Sequence, residues 1–85
     1  MNIKVEDKLA DYLNDEESIL LADGFDDAFL GIGRQFGKPF AIYDKERCLR
    51  ILQETMSEEE AIEYFSFNVE GAYVGEKTPI FLEFL

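Results

Sequence analysis

Two periods of apolar spacing divide this chain. In IKVEDKLADYL, residues 3–13, Val5, Leu9, Tyr12 and Leu13 recur at helical intervals, while Ile3 and Val5 alternate as a strand would. The spacing favours an N-terminal helix that closes one end of the fold, with a short strand as the other reading. A polar break at 14–17 follows. Residues 18–22, SILLA, then read as a strand ended by the turn-forming pair Asp23-Gly24.

Residues 25–37, FDDAFLGIGRQFG, fit both periods. Phe25, Ala28, Phe29, Ile32 and Phe36 share one helical face. Against a helix, Gly31 and Gly33 would each cost an interior about 1 kcal/mol. Ala28, Leu30 and Ile32 also alternate with Phe29, Gly31 and Gly33. The expectation is a strand over 28–35, with the two glycines flattening one side so that a ring or backbone can approach. Gly37-Lys38-Pro39 turns the chain, and PFAIY, 39–43, returns as the hairpin partner.

The second half has clearer punctuation. Asp44 is a good N-cap for a helix over 45–56, with Cys48, Leu49, Ile51, Leu52 and Met56 as its apolar stripe. Residues 57–60, SEEE, form a capping box in which Ser57 serves the third amide and Glu60 reaches back. Three acids there also complement the helix dipole. A second helix over 58–70 gathers Ala61, Ile62, Phe65, Val69 and Ala72 on one face, and the near absence of a loop makes the two helices a corner or hairpin. Gly71 and Gly75 end it. A closing strand, TPIFLEFL, sends Ile80, Leu82 and Phe84 one way and Phe81, Glu83 and Leu85 the other. Pro79 suits an edge strand or a strand's first residue. The predicted fold is α+β: one small domain over 1–85, with a small antiparallel sheet (18–22, 28–35, 39–43, 79–84) packed against a two-helix hairpin.

Composition narrows the chemistry. With 47% apolar residues, eight Phe and four Tyr, the 85-residue chain can build a core. Its formal net charge of −11 repels nucleic acid backbones and anionic lipid, and it attracts basic protein surfaces. Direct nucleic acid binding is therefore not expected. The one cysteine and the absence of histidine leave no intramolecular disulfide, no ordinary zinc site and no His-activated nucleophile. No catalytic residue, cofactor or metal is assigned, and an enzyme is not expected. The chain has neither a signal-like start nor an apolar run of the ~18–20 residues that span a membrane. The expected place is the cytoplasm.

Four segments invite sharper readings. Asp23, Asp26 and Asp27 in DGFDD could offer hard oxygen ligands, but Gly24 directly after the first Asp breaks the calcium-loop register, and a turn explains the same letters. GIGRQFG carries Phe36 where a G-x-G-x-x-G loop needs glycine, so it is not read as a phosphate loop. Cys48, on its helix's apolar stripe, reads as a small hydrophobe. Glu58, Glu59, Glu63, Phe67 and Glu70 are the candidate partner-binding residues. Phe67, in EYFSFN, either fills a second core layer or anchors a partner.

Taken together, YDKERCLRIL and MSEEEAIEYFSFNVEGAYVGEKTPIF resemble a group of small uncharacterised bacteriophage and prophage proteins. Tyr43-Asp44, Cys48, Ile51-Leu52, Met56, Glu59 to Ala61, Glu63 to Phe65, Asn68, Gly71-Ala72, Val74-Gly75 and Thr78-Pro79 carry the likeness. ADGFDDAFLGIG extends it, so that it covers roughly 19–81 and leaves 1–17 outside. No activity is attached to that group and no residue role transfers. The resemblance implies a phage setting, and hence a host cytoplasm. The expectation is a small acidic, non-catalytic accessory protein that binds and modulates a host or phage protein. The alternative is a homo-oligomeric structural or scaffold component, such as a homodimer paired through the closing strand.

Overall fold

The computed structural model describes Leu9 and residues 19–85. The α+β class holds: a three-stranded sheet in the order β1-β2-β3 packs with two helices. The elements run β1 (Phe29–Gln35), β2 (Lys38–Asp44), α1 (Lys45–Leu52), α2 (Glu58–Phe65) and β3 (Ile80–Leu82). Leu9 is helical and buried, while 1–8 and 10–18, and with them the expected N-terminal helix and its alternative strand, lie outside the described residues.

Between 25 and 36 the chain forms a single 3-10 turn, Asp26–Ala28, and then the strand β1, so the expected strand over 28–35 begins one residue later and no α-helix forms. β1 and β2 make an antiparallel hairpin in which Gln35 faces Lys38. The turn is Phe36-Gly37, one residue earlier than expected, and both residues have positive φ, 52° and 76°. That is the type I′ pattern, whose twist matches the strands. Lys38 and Pro39 therefore belong to β2. The approach expected over the glycines is made by an aliphatic side chain: a Cβ on Gly33 would meet Ile42 Cδ1 at 2.5 Å. Leu30 is the extra residue of a bulge, since Phe29 faces Tyr43 and Gly31 already faces Ile42.

Two sheet expectations are corrected. The sheet is not wholly antiparallel, because β3 pairs parallel to β2, Ile42 facing Ile80. The chain leaves β2 into α1, and only the return crossing through α2 brings β3 alongside in the same direction. The expected strand at 18–22 is not a ladder member over its described part, 19–22. There the Ala22 amide donates to the Tyr43 hydroxyl at 2.8 Å, a side-chain partner in place of a strand.

Both helices are shorter than their apolar stripes. Asp44 caps α1 as expected, Oδ1 accepting from the Arg47 amide at 3.3 Å. The helix stops at Leu52, where three turn residues lead to the next cap. α2 begins with the full capping box and continues beyond Phe65 as a π-helical turn, Ser66–Glu70. The Gly71 amide closes that turn on the Ser66 carbonyl at 3.0 Å. A Cβ there would stand 2.5 Å from the same oxygen, so glycine is required by close approach.

Packing is dominated by rings. Phe25 meets Phe65, Phe65 meets Phe81, Phe81 meets Tyr43 and Tyr43 meets Phe29, with centroids 5.1–6.5 Å apart. Three of these contacts are edge-to-face, the arrangement that the ring quadrupoles favour. Ala28, Ala41 and Cys48 fill the space between them. β3 contributes only Phe81 to this cluster, and Ile80 and Leu82 stay about two-fifths exposed.

Phe36 is 93% exposed at the hairpin tip, so packing does not offset its left-handed backbone. Phe36→Asn, which tolerates that conformation, is expected to stabilise the protein by about 1 kcal/mol in urea unfolding. A loss of stability would show that the ring makes a contact that counts.

Candidate docking surface

The start of α2 concentrates negative charge. Glu58, Glu59 and Glu60 occupy its first turn, where the partial positive charge of the free amides favours them. Ser57 Oγ accepts from the Glu60 amide at 3.2 Å, and Glu60 Oε1 accepts from the Ser57 amide at 3.3 Å. Glu60 is thus held in place, and Glu63 follows one turn later.

Two clefts flank this helix. One, about 420 Å³, has an apolar floor from Ile51, Leu52, Val69 and Phe81, with the turn around Asp23 at its rim. The other, about 390 Å³, is a shelf lined by Met56, Glu60, Glu63, Tyr64, Phe67 and Asn68. Tyr64 and Asn68 line both, so the two are neighbours across these side chains, and together they make a trough with an apolar end and an acidic end. No lysine or arginine is among the described residues that line it.

Of the five residues singled out by sequence, the structure brings Glu63 and Phe67 together on the shelf. Phe67 is 76% exposed, so the reading of it as a second core layer is set aside. Glu58 and Glu59 are exposed in the first turn of α2 but line neither cleft. Glu70 is engaged within the molecule: it pairs with Lys45 Nζ at 2.9 Å, and Glu83 approaches the same ammonium at 3.6 Å. The hydrogen bond that the Lys45 ammonium donates to Glu70 holds the Lys45 pKa above its ordinary value. Sequence reading used Glu60 only as a cap and Met56 only as a stripe residue. Their meeting on one shelf depends on how the two helices join, which no periodicity reports.

The remaining motifs are structural. Asp23-Gly24 is the turn that was expected: the Phe25 amide donates to the Ala22 carbonyl at 3.3 Å, and Gly24 takes a φ of 87°. Positive φ at the third position alone is the type II pattern. Among the described residues no three His, Cys, Asp or Glu side chains gather where they could hold a metal. The GIGRQFG glycines lie in and after β1 and cradle no helix start. Cys48 is fully buried, and loss of solvation pushes its thiol up to about 12, which keeps it protonated and unreactive.

No described helix is long and apolar enough to cross a membrane. No protein-family model matches this chain, and no similar protein is found among curated sequences or solved structures.

The Cys48 thiol generates a pH dependence. Below pH 9 the thiol is protonated whether folded or unfolded, and stability is unaffected. From there to about 12 the unfolded chain loses a proton that the folded one keeps, so stability falls as pH rises. Urea unfolding between pH 8 and about 11 is expected to show this decline, with a shallower slope in Cys48→Ala.

Proposed function

We propose that the chain is a small acidic binding protein without a catalytic role, an accessory factor of phage or prophage type. It docks on the basic surface of a host or phage protein in the host cytoplasm and modulates it. The observation that carries this reading is the acidic trough beside α2, with Phe67 exposed and no described cation along it. A net charge of −11 supports it, because such a field draws in basic surfaces and repels nucleic acid. The phage setting rests on the sequence pattern over roughly 19–81. Among the described residues the carboxylates of DGFDD do not gather with others into a group of three that could hold a metal, and the single thiol is buried.

The partner recovered from host lysate should associate quickly at low salt. Its association rate is expected to fall by about tenfold or more between ~0.01 M and ~0.15 M salt, as the screening length contracts from ~30 to ~8 Å. A rate indifferent to salt, or a lysate that returns nothing above background, would count against the proposal.

A second reading follows from a different observation. Ile80, Leu82 and Phe84 are exposed along the closing segment, and β3 is an edge strand. A second copy could cover these side chains, giving a homodimer or a scaffold component. Sedimentation at micromolar concentration is expected to show a monomer under the first reading. A stable dimer that Leu82→Lys dissolves would favour the second.

A further inference from the structure

The trough has a shape and a polarity that specify more than a basic partner. Its deeper part, about 420 Å³, lies within the range of ordinary ligand pockets and is floored by aliphatic and aromatic side chains. The neighbouring shelf places Glu60 and Glu63 on one helical face, one turn apart, with Phe67 a further turn along. Asn68 and Tyr64 form the saddle between the two parts. Tyr64 is 46% exposed there, and Val74 on the far rim is 57% exposed.

Resting on the reading of this chain as a binding protein, we propose that the trough receives a cationic amphipathic helix from the partner protein. Apolar side chains from one face of that helix enter the floor between Leu52, Val69 and Phe81. Lysine or arginine side chains about one turn away meet Glu60 and Glu63. Charge complementarity selects the sign, because every charged side chain among the described lining residues is acidic.

Backbone chemistry selects the helix. Among the described residues around the apolar part only Phe81 belongs to a strand, and the others lie in helices, turns and irregular segments, so the walls offer no continuous ladder to pair with an extended peptide. A strand laid in the apolar part would bury backbone amides without partners, at about 1–3 kcal/mol each. A helix brings its backbone hydrogen bonds already closed and offers anchors at the i, i+3, i+4 and i+7 positions.

The test uses the full chain and three fluorescein-labelled peptides of about four helical turns. The first carries leucine on one face and lysine on the other. The second keeps leucine and replaces lysine with glutamate, and the third keeps lysine and replaces leucine with serine. Anisotropy is expected to show binding of the first at least about tenfold tighter than of the other two. Glu60→Gln with Glu63→Gln should weaken it by about tenfold, and glutamine at 60 can still serve the capping box. Asp26→Asn with Asp27→Asn changes net charge equally at residues that line neither cleft, and should weaken binding by less than about threefold. Tyr64→Ala should weaken the first peptide, with thermal melts confirming that each variant is folded.

Equal loss from both acid pairs, or equal binding of the serine peptide, would overturn the trough while leaving a diffuse acidic binding surface intact. Failure of every cationic peptide to bind at low salt would overturn both readings. Binding of the leucine–glutamate peptide as tightly as the leucine–lysine one would mark the cleft as a charge-blind apolar site and also reject the proposal.

Discussion

Tyr43 is the side chain on which the arrangement depends. It sits in the central strand, fully buried, and its ring touches Phe29 from β1 and Phe81 from β3. Its hydroxyl lies 2.8 Å from the Ala22 amide, which fastens the 19–22 segment to the sheet without making it a strand. A phenylalanine would keep the ring contacts but leave that amide without its partner, and a smaller residue would open a void between Phe29 and Phe81. Through Phe81 the same ring reaches Phe65 and so sets α2 against the sheet. The position of the trough is a consequence of this chain of contacts, because its floor includes Phe81 and its rim begins at Leu21 and Ala22.

Charge is arranged around that core with a clear division of labour. Lys45 is drawn inward between Glu70 and Glu83 and lies 5.9 Å from the Phe65 ring centroid. Arg50 is bound to Glu46 on its own helix at 2.8 Å. Lys38 pairs with Glu76 at 3.3 Å across to the loop before β3. These cations neutralise acids that the fold needs close at hand, which leaves the start of α2 without a described counter-ion. Exposed pairs of this type add little stability. Their larger effect is on where the uncompensated potential appears.

Local grammar in the sequence was a good guide wherever a single residue sets the backbone. Asp44, Ser57 and Glu60 cap as their types require, and Asp23-Gly24 turns the chain. The glycines at 31 and 33 correctly outweighed the helical spacing of Phe25, Ala28, Phe29, Ile32 and Phe36. Long-range pairing was not legible. The apolar letters of 19–22 serve a tyrosine hydroxyl and a cleft instead of a ladder, and the parallel direction of β3 follows from the path through two helices. The π turn after Phe65 could not be read either, since Ala61, Phe65, Val69 and Ala72 keep the spacing of a plain helix through it. Of the candidate surface, the acids were visible as letters, while the apolar floor beside them required the fold.

The capping box gives the acidic end of the trough a second character. Glu60 lends one carboxylate oxygen to the Ser57 amide and is at the same time part of the shelf. An incoming ammonium must share that carboxylate with the amide or displace it. Recognition and the integrity of the first helical turn therefore draw on the same carboxylate, one oxygen held by the cap and the other facing a cation, so occupancy of the shelf would bear directly on the joint between α1 and α2.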